Sequence, residues 1–155
     1  MGMDKDFGLA YAKSQISSGN SLPTKGLGFI SLKDKHKNEG IDLAKKLVEL
    51  NFTLCGTEGT ANAIRKNGIK CKKVNKVSGG SPHIVDVLNA KKIALVINTG
   101  GGKRAYRVKD STSLRRATLI NKVPYCTNMS TAYACIKGIE ALKSKKLKVS
   151  SLQNN

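Results

Sequence analysis

Five short segments concentrate hydroxyls, glycines and cations. They are Lys33-Asp34-Lys35-His36-Lys37, Gly56-Thr57-Glu58-Gly59-Thr60, Asn75-Lys76 with Ser78-Gly79-Gly80-Ser81, Asn98-Thr99-Gly100-Gly101-Gly102-Lys103-Arg104, and Thr127-Asn128. This mixture suits the binding of an anion. Thr57, Gly59 and Thr60 stand where a helix is expected to begin, so their donors lie at the positive end of its dipole, where a phosphate is a natural guest. Lys37 and Lys76 can add charge-assisted hydrogen bonds to the same oxygens. The Gly100-Gly101-Gly102 run lets backbone come close to a ligand. Each piece alone has a plainer explanation: a Thr-x-Gly-Thr turn is a common helix cap, a single loop lysine is usually solvated, and a glycine run is often only a turn. The functional reading rests on their convergence.

Other chemistries find less support. His36 lies in a charged loop and is expected to be solvated. His83 follows Pro82 and is expected to pack and position. No Ser-His-Asp or Cys-His arrangement is legible from spacing. The four cysteines, Cys55, Cys71, Cys126 and Cys135, form no C-x-x-C pair, and the two histidines are not spaced to complete a zinc site, so no metal is expected. Buried free thiols fit a reducing compartment.

The convergence depends on the elements that carry these segments. Asp4 to Ser14 suits a short helix capped by Asp4 or Asp6, with Phe7, Ala10 and Tyr11 on one side. The Ser/Gly/Pro-rich stretch 17–26 reads as a linker. Strands are expected at 28–32, 52–55, 69–74, 93–97 and 125–127. The run Ile93-Ala94-Leu95-Val96-Ile97 is continuously apolar, as in a central parallel strand covered on both faces. Between the strands lie helical patterns at 38–50, with Ile41, Ala44, Leu47 and Val48 inward, and at 61–67, closed by Gly68. Ser81-Pro82 has the form of a helix cap and first turn. Asp110 or Ser111 is expected to cap a helix with Leu114, Ala117 and Ile120 inward, and a last helix covers 130–143. Strict alternation points to a three-layer α/β/α sandwich on a parallel five-stranded sheet. In such sheets ligands bind beyond the C-terminal strand ends, where these five segments fall.

The chain has 155 residues, suited to one domain, and is 39% hydrophobic but only 5% aromatic, so the core must be aliphatic. A domain of this size buries roughly 70% of its unfolded surface and needs no staples. The net charge of +18 implies attraction to anions. Many of the lysines sit in scattered pairs (Lys45-Lys46, Lys72-Lys73, Lys91-Lys92 and Lys145-Lys146), as on a solvated surface. No leader and no long apolar run are seen, so neither a signal peptide nor a membrane span is expected.

On these residues the sequence resembles, across nearly its whole length, the regulatory domain at the C-terminal end of the carbamoyl-phosphate synthetase large subunit, which has the methylglyoxal-synthase-like fold. The resemblance lies in Ser31-Leu32 followed by Asp42-Leu43-Ala44, in Gly56-Thr57-Glu58-Gly59-Thr60 and in Val74-Asn75-Lys76-Val77. It continues through Pro82-His83-Ile84, Ile97-Asn98-Thr99 and Leu114-Arg115-Arg116-Ala117, in matching order and spacing. It implies an allosteric domain whose rim binds a nucleotide effector such as UMP or IMP by its phosphate. The implied phosphate positions are Lys37, Thr57, Thr60, Lys76, Asn98 and Thr99, supported by Gly59, His83, Gly100, Gly101 and Lys103. Two departures stand out. Gly100 replaces a hydroxyl residue of the family, and Glu58 stands where histidine is frequent.

The resemblance further implies a division into residues 1–26, the tail of a preceding synthetase domain plus linker; 27–143, the regulatory domain; and 144–155, a disordered basic tail. The parent would be a cytoplasmic, glutamine-hydrolysing ligase of pyrimidine and arginine biosynthesis. It would use ATP and Mg in its ATP-grasp domains, pair with a glutaminase small subunit and be open to homo-oligomerisation, with no cofactor in this domain. The related methylglyoxal synthase is the catalytic alternative. That enzyme needs a carboxylate base after a Gly-Gly pair, and here Gly79-Gly80 is followed by Ser81, which cannot abstract a proton unaided. A nucleic-acid-binding module is the other alternative. The charge favours non-specific, salt-sensitive contact, but no stacking motif or recognition signature is present.

Overall fold

The computed structural model describes residues 1–100 and 105–149. Five parallel strands, β1 (Gly26–Ser31), β2 (Phe52–Gly56), β3 (Lys72–Lys73), β4 (Leu95–Asn98) and β5 (Tyr125–Cys126), lie in the order β3-β2-β1-β4-β5. The helices are α1 (Phe7–Ser17), α2 (Lys37–Glu49), α3 (Glu58–Lys66), α4 (Ile84–Asn89), α5 (Ala105–Ile120) and α6 (Met129–Ser144). Short 3₁₀ turns cover Asp34–His36 and Val77–Gly79. The chain builds outward from β1 to β3, then returns to place β4 on the other side of β1. The order therefore reverses between β1 and β4, which opens a crevice at their C-terminal ends.

Alternation along the strands creates two cores, one on each face of the sheet. Ile30, Leu54, Leu95 and Ile97 face Leu43, Ala44 and Leu47 of α2, Ile64 of α3, and Ile136 and Ile139 of α6. Phe29, Cys55 and Val96 face Ile84 and Leu88 of α4 and Leu114 and Ala117 of α5. Each fully buried Leu, Ile or Phe contributes about 1.5–3 kcal/mol of transfer free energy. The three-layer sandwich expected from the sequence is thus the fold. Asn51 and Gly68 end their helices with φ of 66° and 77°, a conformation open to Asn and Gly.

Several elements differ in detail. Helix α1 is capped by Asp6, whose carboxylate accepts from Leu9 N at 3.0 Å, and it buries Gly8, Leu9 and Ala12, with Tyr11 packed partly buried against the first core. Phe7 is exposed and stacks on Tyr11. Close backbone approach to α6 decides the face: a Cβ on Gly8 would run into the Lys137 carbonyl oxygen. Leu22, within the stretch read as a linker, is buried in the first core. Lys143 Nζ donates to Thr24 O at 3.1 Å and fastens the same stretch.

In α2 the inward residues are Gly40, Leu43, Ala44 and Leu47, while Val48 is exposed. Helix α4 starts at Ile84, so Ser81-Pro82 precedes it, and Asp86 accepts from His83 N at 2.8 Å in the capping position. Helix α5 starts at Ala105, which puts Asp110 inside it, and Ile120 faces solvent while Thr118 is buried. Strand β3 is limited to Lys72–Lys73, with Val74 N still bonded to Gly56 O at 2.9 Å.

Gly8→Ala tests the docking of α1. The added methyl must push α1 away from the Lys137 carbonyl, and overpacking of this kind costs about 1–3 kcal/mol. Urea denaturation should show that loss, whereas unchanged stability would mean that α1 does not seat on α6.

Candidate anion-binding site

A cleft of about 350 Å³ opens at the crevice between β1 and β4. Its polar lining comes from Ser31 at the end of β1, Thr57 after β2, Lys76, and Asn98 and Gly100 at the end of β4. Phe29, Val77, Ile84 and Leu114 supply an apolar wall, and Asp34, Asp110 and Ser111 reach its margins.

Buried hydroxyls fix this geometry. Thr60, 2% exposed, accepts from Leu32 N at 3.0 Å. Thr99, 4% exposed, accepts from Lys33 N at 3.2 Å, and its oxygen lies 3.0 Å from His36 Nδ1. Each backbone N–H just past β1 therefore finds a threonine from a different segment. Thr57 Oγ1 lies 3.3 Å from Thr60 Oγ1 and 3.4 Å from Ser31 Oγ, and its single proton serves one of them at a time. The Asn98 amide accepts from Gly100 N at 3.0 Å and donates to the Tyr125 hydroxyl at 3.1 Å, so its orientation is set from both ends.

The expected site residues divide accordingly. Thr57, Lys76, Asn98 and Gly100 line the cleft. Lys37 reaches over the start of α3, where Gly59 leaves room: a Cβ there would lie 3.4 Å from Lys37 Nζ. Thr60 and Thr99 sit behind the cleft and hold the β1–α2 loop. His36 is half-buried against Thr99, not solvated as expected. His83 does not line the cleft; its Nδ1 is 3.3 Å from Asp86 Oδ2 without a well-aligned hydrogen bond. Gly101 and Lys103 lie outside the described residues.

The two departures also have positions. Glu58 is exposed and pairs with Lys73 Nζ at 2.9 Å, which holds its carboxyl below the usual range. It does not line the cleft. Gly100 presents its backbone where a side chain would crowd Asn98, since a Cβ there would lie 2.8 Å from Asn98 Oδ1. The hydroxyl of Ser81, after the Gly-Gly pair, donates to Asp86 Oδ2 at 2.8 Å.

Sequence reasoning misses Ser31, Asp34 and Asp110 as lining residues. Ser31 carries a signal, since it ends the first strand on the same rim. Asp110 has the form of a helix cap and instead accepts from Ser78 Oγ at 2.7 Å. Asp34 Oδ1 accepts from Lys37 Nζ at 2.6 Å, and Lys37, with a weaker contribution from Lys76, holds its carboxyl below the usual range. Burial pushes Cys55 up to about 12 and Cys71 to about 11, so neither offers a thiolate at neutral pH. Among the described residues no group of three or more His, Cys, Asp or Glu is placed to hold a metal ion, and no helix is long and apolar enough to cross a membrane.

These features define a doubly wound α/β domain with a ligand-sized cleft at its switch point. The family model of the MGS-like domain matches residues 39–127, and the chain belongs to that family. It is 44% identical over 153 residues to the carbamoyl phosphate synthase large chain of Mesorhizobium japonicum, a match covering 99% of this chain and 13% of that protein. It is 43% identical over 155 residues to the carbamoyl phosphate synthase large chain, C-terminal section, of Methanopyrus kandleri, covering 99% of this chain and 28% of that protein. The chain thus spans a minor part of the length of these relatives. The crystal structure of methylglyoxal synthase from Elizabethkingia anophelis superposes with a TM-score of 0.56 at 14% identity, covering 83% of this chain and 97% of that one, which shows a shared fold.

Thr60→Val separates the buried clip from the cleft surface. It leaves the Leu32 N–H without a partner, at a cost of about 1–3 kcal/mol. Lys76→Ala, on the cleft surface, should stay within about 0.5 kcal/mol of the parent. Equal stability of both variants in chemical denaturation would contradict the clip.

Proposed function

We propose that this chain is the regulatory MGS-like domain of a carbamoyl phosphate synthase large chain, and that its cleft binds a nucleoside monophosphate of the UMP or IMP class by its phosphate. One observation carries the reading: Thr57, Lys76, Asn98 and the Lys37 ammonium come from four separate segments and gather at one edge of the sheet. The apolar wall beside them suits a nucleoside, and Asp110 and Ser111 bring hydrogen-bonding groups to its margin. A volume of about 350 Å³ falls in the range of small-molecule sites. The phosphate would sit against Thr57 and the start of α3, within reach of the two lysines.

The large-chain assignment draws on the relatives that share 99% of this sequence's length. Under it, the ATP-grasp domains of the same subunit, their ATP and Mg, the glutaminase small subunit and a cytoplasmic, biosynthetic setting belong to the parent protein. This domain would act by shifting that parent between two states that bind the effector with different affinity. Catalysis of the methylglyoxal synthase type is not part of the proposal. Ser81 replaces the required carboxylate, and its hydroxyl is engaged by Asp86.

Titration calorimetry of the chain with UMP, IMP and inorganic phosphate tests the site. At least one nucleotide should bind, and Lys76→Ala should weaken it by about 1.5–3 kcal/mol, the scale of a hydrogen bond to a charged group. Absence of binding by any of the three at millimolar concentration would overturn the effector reading. Turnover of dihydroxyacetone phosphate would overturn the non-catalytic one.

A further inference from the structure

We propose that Asp34 is a built-in, displaceable anion at the margin of the cleft that engages the Lys37 ammonium until a phosphate takes its place. This rests on the phosphate reading of the cleft given above. Asp34 lines the cleft, and its Oδ1 lies 2.6 Å from Lys37 Nζ. The same ammonium stands over Gly59 at the start of α3, so the carboxylate meets the cation that an incoming phosphate would use. Lys76, which also lines the cleft, adds a smaller favourable contribution to the charged form of Asp34.

What holds Asp34 in place is slight. Its side chain is 94% exposed, so nothing packs on it, and its partner is only three residues away, just past the 3₁₀ turn that leads into α2. Exposed pairs of this kind are weak. The backbone beneath is firm by contrast, because Leu32 N and Lys33 N are tied to Thr60 and Thr99. A ligand can therefore displace the carboxylate by a side-chain rotation without moving the loop. A phosphate dianion carries more charge than the carboxylate and has three terminal oxygens to share among Lys37, Lys76 and Thr57. It wins the exchange, but Asp34 lowers its affinity by competing for Lys37 and by repelling it. An ordinary surface ion pair at a helix start would have no such effect.

The test is Asp34→Asn, with binding of inorganic phosphate and of UMP measured by calorimetry on the whole chain. Glu39→Gln, on the start of α2 and away from the cleft lining, controls for net charge. Asp34→Asn should bind both anions about three- to tenfold more tightly than the parent at low salt, with the gain shrinking at higher ionic strength. Glu39→Gln should stay within about twofold of the parent. Unchanged or weaker binding by Asp34→Asn, or an equal gain in Glu39→Gln, overturns the role of Asp34 and leaves the cleft reading intact. Absence of binding by every form overturns both.

Discussion

The two hydrogen bonds from Leu32 N to Thr60 and from Lys33 N to Thr99 hold the ligand edge of this domain together. Where β1 ends, its backbone loses the partners that neighbouring strands provide, and buried N–H groups must find others. Here one is met from the first turn of α3 and the other from the end of β4. The carbonyl of Ser31 completes the arrangement by accepting from Thr99 N at 3.0 Å. Three loops are thereby fixed to one another across the switch point before any ligand arrives. Cleft residues such as Thr57 and Asn98 inherit their positions from that frame, and pre-set donors bind with little ordering cost.

The frame needs a rigid support, which the two cores provide. Phe29 and Ile30 are adjacent in sequence and point to opposite faces, each into a buried cluster. Shifting β1 by one residue would exchange those clusters and carry Ser31 away from the rim, so burial of the aliphatic residues also sets the position of the site. Helix α1 and Leu22 enlarge the first cluster, and Lys145 of the C-terminal segment pairs with Asp6 of the α1 cap. The two ends of the described chain are thus brought together on the α6 side.

Much of this is legible in residue order. The unbroken apolar run ending at Ile97 identifies a central strand, and the alternation of such runs with helical patterns leaves a parallel sandwich as the outcome. The segments after the strands are also readable as a rim. What each rim residue does there is less so. Thr57 and Thr60 are the same residue type three positions apart, yet one faces the cleft and the other points back to Leu32 N, and only the fold distinguishes them. The face of α1 misleads in part: Tyr11 packs against the first core, but Phe7 is left exposed because the close contact with α6 requires Gly8. Asp110 misleads because α5 starts earlier than its polar first turns suggest, and Asp34 is hidden among the lysines around it.

Amide chemical-shift mapping during a phosphate titration reports each backbone donor separately and so probes the pre-set rim residue by residue. Saturable shifts should centre on Thr57, Gly59, Thr60, Lys76, Asn98 and Gly100, with the opposite end of the sheet around Lys91 and Lys122 unmoved. Shifts that spread over the basic surface without saturating, and that spare the Thr57–Thr60 turn, would contradict a phosphate cradle at this edge.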